Sequence, residues 1–125
     1  MRKPGPPKDV PPPLEMLCLR SVWMLGEGNV AKVQEAMAAS RPLAYTTVMT
    51  LLDRLAKKSV LSRRKVGRAF FYAPAIAPDE IRRQALKEFL DSFFDGSPER
   101  LLAFIRQPGE SQPPAAGYEI AGETD

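Results

Sequence analysis

A mainly α fold with one small β-hairpin follows from three features of the sequence. Apolar residues recur at helical spacing in three short segments between residues 13 and 58, two β-prone runs joined by a glycine-containing turn come next, and two further helix-start signals close the pattern. Three helices followed by a two-stranded wing is the winged form of the helix-turn-helix, here continued by a C-terminal helical extension.

Each element has its own signal. Pro13 suits the first turn of a helix, and Leu14, Leu17, Cys18, Val22 and Leu25 then follow as its apolar stripe up to Gly26. Asn29 is an N-cap residue for a second helix with Val30, Val33 and Met37 inward. After Arg41-Pro42 a third helix is predicted from Ala44 to Lys58, with Val48, Leu51, Leu52 and Leu55 at i, i+3, i+4 and i+7. The hairpin is predicted from Leu61–Lys65 and Arg68–Tyr72. Val66 resists positive φ, which favours a longer loop with Gly67 left-handed over a tight turn. Pro78-Asp79-Glu80 opens a fourth helix carrying Ile81, Ala85, Leu86, Phe89, Leu90 and Phe93 as far as Gly96. Ser97-Pro98-Glu99 repeats that start before Leu101, Leu102, Phe104 and Ile105.

Proline sets the boundaries. Pro4-Gly5-Pro6-Pro7 and Pro11-Pro12-Pro13 exclude regular structure, so residues 1–12 are expected to be a disordered Pro-rich arm. Residues 13–76 form the predicted winged-helix domain and 77–106 a helical dimerisation region; 107–125, with little apolar periodicity, are an expected disordered tail.

Composition narrows the chemistry. The 125 residues include no histidine and one cysteine, so the usual general base, nucleophilic pairs, disulfides and a thiolate metal cage are excluded. Scattered carboxylates give no catalytic pair, and the expectation is a protein without enzymatic activity, cofactor or bound metal. The charged start lacks the apolar stretch of a signal peptide, and no run of about 18 apolar residues could span a membrane, so a cytoplasmic protein is expected. Residues 1–75 carry 13 Lys and Arg against 5 Asp and Glu, whereas residues 76–125 carry 5 against 10. A basic half joined to an acidic half suits a polyanion-binding module attached to something that must not bind polyanions.

The third helix and the hairpin are where such binding would occur. With its apolar stripe turned inward, the third helix exposes Tyr45, Thr46, Thr47, Met49 and Thr50 near its N-terminus, then Asp53, Arg54 and Lys57. Short hydroxyls and methyls at that end suit base edges in a major groove. Arg63, Arg64, Lys65 and Arg68 crowd the hairpin with no acid between them, which suits phosphates. A winged helix used only as a protein-interaction module is the alternative, and would show an apolar third-helix face. Trp23 and Cys18 fall on or near the inward side of the first helix and are read as core.

The segment RPLAYTTVMTLLDRLAKKSVLSRRKVGRAFFYAP resembles the penicillinase-repressor (BlaI/MecI) family of bacterial winged-helix regulators, to which copper-responsive CopY repressors also belong. The resemblance extends over residues 13–106, through LEMLCLRSVWMLGEGNV and LKEFLDSFFDGSPERLLAFI. It implies a homodimeric repressor of transcription on palindromic operator DNA, relieved through a membrane sensor protease system that leads to cleavage of the dimerisation region. By position, Tyr45, Thr46, Thr47, Thr50 and Arg54 match the family's recognition helix, and Lys65, Gly67 and Arg68 its wing. Four departures stand out. Ser59 occupies a position where relatives have Gly; Ala103-Phe104 stands at the family's Asn-Phe cleavage step; and the copper-binding cysteines and the final acidic helix are missing.

Phe89, Leu90, Phe93, Phe94, Leu101, Leu102, Phe104 and Ile105 form an apolar set too large for a two-helix extension to bury alone. Pairing two copies about a two-fold axis would cover it. The competing expectation is that it folds back on its own winged helix.

Overall fold

A computed structural model describes residues 9–107 and Gly109. The elements run α1 (Pro13–Leu25), β1 (Gly28–Asn29), α2 (Val30–Ala38), α3 (Tyr45–Lys57), β2 (Leu61–Val66), β3 (Ala69–Pro74), α4 (Pro78–Phe93) and α5 (Pro98–Arg106). The fold is mainly helical with a small antiparallel sheet in the order β1-β3-β2. The expected arm and tail fall largely outside the described residues; at their inner edges Pro11 is buried and Gln107 caps α5.

Two compact units divide the chain, Met1–Glu88 and Phe89–Asp125. The first is built on one core, to which α1 gives Cys18, Leu19 and Val22, α2 gives Val30, Val33 and Met37, and α3 gives Val48, Leu51, Leu52 and Leu55. Val60, Leu61 and Tyr72 close it from the hairpin side. Ile76 and Ile81 are in the same core, so this unit continues past residue 76 into α4 as far as Glu88.

Local chemistry accounts for the helix ends. Asn29 caps α2 as its spacing predicts, its side chain accepting the Lys32 N–H at 2.9 Å, and Gly26 ends α1 at φ 81°. Gln34 Nε2 donates to the Leu43 carbonyl at 2.9 Å, which ties α2 to the turn that launches α3. After α3, Ser59 takes φ 64°, and the Ser59 and Val60 N–H groups reach the carbonyls of Ala56 and Leu55, both at 3.0 Å. That paired closure normally uses glycine.

Three local expectations need correction. Leu25 is exposed and Leu19 wholly buried, so the inward side of α1 is Cys18, Leu19 and Val22, with Leu14 and Leu17 at its margin. Glu15 is buried on the same side because Lys58 Nζ donates to it at 2.7 Å. The wing turn is tight: Val66 pairs with Ala69, leaving only Gly67 and Arg68 between the strands. Val66 stays in β2 and needs no positive φ, while Gly67 takes φ 63°. Arg68 therefore sits in the turn and not in β3. The two-residue strand β1, too short to leave a pattern, pairs Gly28 with Tyr72 and Asn29 with Phe71.

Cys18 is fully buried, and burial, reinforced by the charge of Glu15, pushes its thiol up to about 12. It remains a protonated packing residue. Trp23 packs against the edge of the core with the Arg82 guanidinium carbon 5.4 Å from its ring centroid.

The second unit holds the end of α4 and α5. Phe94 bridges them, its ring 5.6 Å from both Phe89 and Phe104. Ser97 caps α5 by accepting the Arg100 N–H at 3.1 Å. Leu90 is buried, but Phe89, Phe93, Leu102, Phe104 and Ile105 are exposed, with Leu101 half-buried.

Candidate nucleic-acid interface

Burying Val48, Leu51, Leu52 and Leu55 leaves α3 with two exposed flanks. One carries Thr46, Thr50 and Arg54 at successive intervals of four, with Thr47 beside them, all exposed. The Thr50 hydroxyl donates to the Thr46 carbonyl at 3.0 Å, so its outward offering is a methyl and an acceptor oxygen. No acid lies in the first turn of α3, and its N-cap, Ala44, supplies no side-chain acceptor. The N-terminal end is therefore electropositive and uncapped, as suits a nearby phosphate.

The other flank, Tyr45, Met49 and Asp53, faces the hairpin across a groove of ≈ 280 Å³ that Arg63, Arg68 and Phe70 also line. The strand register decides which wing residues reach it. Arg63 lies opposite Tyr72 and Lys65 opposite Phe70 on one face of the sheet; Arg64 lies opposite Phe71 on the other. Tyr72 is buried and its hydroxyl donates to Asp53 Oδ1 at 3.0 Å. Burial first, and that bond second, raise the Tyr72 phenol above its ordinary value, so it remains a donor.

The four wing cations are not equivalent. Arg63 Nη1 lies 3.4 Å from Asp53 Oδ1, with its guanidinium carbon 4.3 Å from the Phe70 ring centroid. Arg64 makes a two-pronged bond to Glu27, Nε at 2.6 Å and Nη2 at 2.9 Å. The hydrogen bond from Arg64 holds the Glu27 carboxyl below its ordinary value, and the same bond raises the Arg64 guanidinium further. Lys65 and Arg68 are exposed and have no carboxylate partner among the described residues, though Lys65 Nζ sits 5.7 Å from the Phe70 ring centroid. The structure thus brings Tyr45, Thr46, Thr47, Thr50, Arg54, Arg63, Lys65 and Arg68 to α3 and the adjoining side of the wing, and turns Arg64 to the opposite side. Sequence reasoning missed Glu27, Tyr72 and Phe70, and gave Asp53 no role; no local signal links Glu27 to an arginine 37 residues away.

Among the described residues no cluster of three metal-ligating side chains occurs, and no helix is long and apolar enough to cross a membrane. A three-helix core with a hydroxyl-rich third helix beside a basic wing defines a winged-helix protein of the DNA-binding, transcription-regulating class. The penicillinase repressor family model matches residues 12–112. The chain is 35% identical over 111 residues to the transcriptional regulator BlaI of Mycobacterium tuberculosis, covering 86% of this chain and 80% of that one. It is 34% identical over 81 residues to a penicillinase repressor of Staphylococcus aureus, covering 65% and 64%. The solution structure of the DNA-binding domain of the repressor BlaI superposes with a TM-score of 0.52 at 26% identity, over 61% of this chain and 90% of that one. The chain belongs to the penicillinase repressor (BlaI/MecI) family, a family of transcriptional repressors and not of enzymes.

Proposed function

We propose that the protein is a cytoplasmic repressor that holds a palindromic operator as a homodimer, with α3 in the major groove and the wing on the flanking backbone. One observation carries this reading: α3 exposes Thr46, Thr47, Thr50 and Arg54, and the wing adds the exposed Lys65 and Arg68, which have no carboxylate partner among the described residues. Threonines offer acceptors and methyls to base edges, and unpaired cations offer charge to phosphates. A protein-interaction module would instead need an apolar outer face. The exposed apolar residues of α3, Tyr45 and Met49, belong to the groove beside the wing.

One recognition helix covers one half-site, so a palindrome needs two copies. The exposed Phe89, Phe93, Leu102, Phe104 and Ile105 supply a surface that a second copy would cover, with Leu90, Phe94 and Leu101 packed behind it. Relief through a membrane sensor protease fits the family. Here Ala103 and Phe104 lie inside α5, so cleavage between them would require that helix to open.

A gel shift on the protein's own upstream DNA and on random duplex, over a salt series, tests the reading. Operator binding should exceed random binding, and Thr47→Ala and Thr50→Ala should each cut that discrimination by about 1–3 kcal/mol. Equal loss on both DNAs would reduce these threonines to backbone contacts. No preference by the wild type would remove the reading.

A further inference from the structure

The wing of this protein offers more positive charge in its sequence than in its structure. Of its four cations, Arg63 alone is held by an acid that belongs to the recognition helix itself. Asp53 sits two turns beyond Tyr45, on the flank of α3 that faces the groove. A carboxylate there is unfavourable for binding phosphate, yet it has two partners: the buried Tyr72 hydroxyl at 3.0 Å and Arg63 Nη1 at 3.4 Å. Tyr72 and Arg63 are directly opposed across β2 and β3, so one carboxylate grips both strands of the wing at the same rung. The Arg63 guanidinium also lies over the Phe70 ring at 4.3 Å, which fixes its direction along the sheet.

We propose that Asp53 is a positioning residue that withholds Arg63 from DNA phosphates while locking the wing to the recognition helix. This rests on the DNA-binding reading above. The two tasks use separate properties of one group: the acceptor oxygen holds Tyr72, and the negative charge holds Arg63. Withholding one long-stemmed cation suppresses sequence-independent binding most. In a loose complex on random DNA any freed guanidinium finds a phosphate, whereas on an operator the seated helix fixes where the wing can reach. Asp53 thereby raises the ratio of operator to random binding without touching a base.

Asp53→Asn separates the tasks, because the amide oxygen still accepts from Tyr72 while the charge is gone. Anisotropy titrations over a salt series would compare the wild type, Asp53→Asn, Arg63→Gln and the double variant on random and operator duplex. Asp53→Asn should tighten random binding roughly tenfold at 0.1 M salt, steepen the slope of log K against log salt by about 0.9, and lower the operator-to-random ratio. Arg63→Gln in the Asp53→Asn background should restore the wild-type slope; alone it leaves the Asp53 charge unpaired and should not steepen the slope. Asp53→Glu, which keeps the charge, should behave as wild type, and Asp53→Ser takes the place of Asp53→Asn if that variant does not fold. A wild-type operator preference with no slope change in the charge-removed variant overturns this inference alone. So does a slope change that persists in the double variant, or a steeper slope produced by Arg63→Gln by itself. A wild type with no operator preference overturns the reading beneath, and this inference with it.

Discussion

Within α4, Ile81 is 2% exposed and Phe93 is 72% exposed, although both are large apolar side chains on one continuous helix. Ile81 belongs to the unit whose three helices and hairpin fill their own interior. Phe93 belongs to a unit of one helix end and one short helix, in which Phe89, Phe94 and Phe104 touch but cannot enclose one another. A large apolar side chain is thus a core member in one part of a helix and an open surface in another. Burial depends on what surrounds a side chain as much as on its hydrophobicity, and the shortfall in the second unit is what a second copy would make good.

The comparison breaks most visibly at the closed end. Ile81→Ala should cost about 2–5 kcal/mol, because the first unit is packed too tightly to collapse into the space left behind. Chemical denaturation followed by tryptophan fluorescence should show this, since Trp23 lies against the same core. A loss well under 1 kcal/mol would mean that α4 packs on the core only loosely.

At the open end the opposite pattern is expected. Phe93→Asp should leave the denaturation midpoint of the first unit nearly unchanged, while sedimentation over a dilution series shifts to monomer and operator affinity falls tenfold or more, at least about 1.4 kcal/mol. A wild type that is monomeric at every concentration, with operator binding indifferent to Phe93→Asp, would mean the face has another use.

A smaller effect separates two adjacent wing residues. Lys65→Ala should lower the salt slope of DNA binding by about 0.9, whereas Arg64→Ala should leave it unchanged, since Arg64 is engaged with Glu27 on the far side of the sheet. Because that bond depresses the Glu27 carboxyl, the pair is formed above the ordinary glutamate range and is lost only as the pH falls through the lowered value. Mild acid therefore does not free Arg64. Equal slope changes in the two variants would show that the pair opens on DNA.

What the sequence makes legible, and what it hides, follows from range. Val48, Leu51, Leu52 and Leu55 declare α3 because a helix repeats its inward face every turn, and Asn29 declares α2 because a cap acts on an N–H three residues away. The exposed threonine face is legible as the complement of that stripe. The pairing of Arg64 with Glu27, and of Arg63 and Tyr72 with Asp53, depends on strands and helices meeting in space, and no local pattern announces it. Four like charges in six residues therefore overstate the wing's free charge. The choice of Leu19 over Leu25 on α1 was likewise settled by which helices lie alongside it.

Ser59 gives the smallest effect and the cleanest contrast between strain and association. It holds φ 64° at the end of α3, where the left-handed conformation costs an ordinary L-residue roughly 1 kcal/mol and a glycine almost nothing. Ser59→Gly removes that strain but adds freedom to the unfolded chain, so the net gain should be no more than about 1 kcal/mol, or a rise in Tm of a few degrees. The two backbone bonds that close α3 use the N–H groups of residues 59 and 60 and survive the change. The reciprocal case is Gly67 at φ 63°: nothing lies within 4 Å of an added Cβ, so Gly67→Ala meets backbone strain without a clash, partly offset by a stiffer unfolded chain, for a net loss of no more than about 1 kcal/mol. Neither substitution alters the apolar face of the second unit, so neither should move the sedimentation profile. If Ser59→Gly lowers Tm, the serine side chain contributes at that corner something beyond its backbone, and the left-handed turn is not where the first unit stores strain.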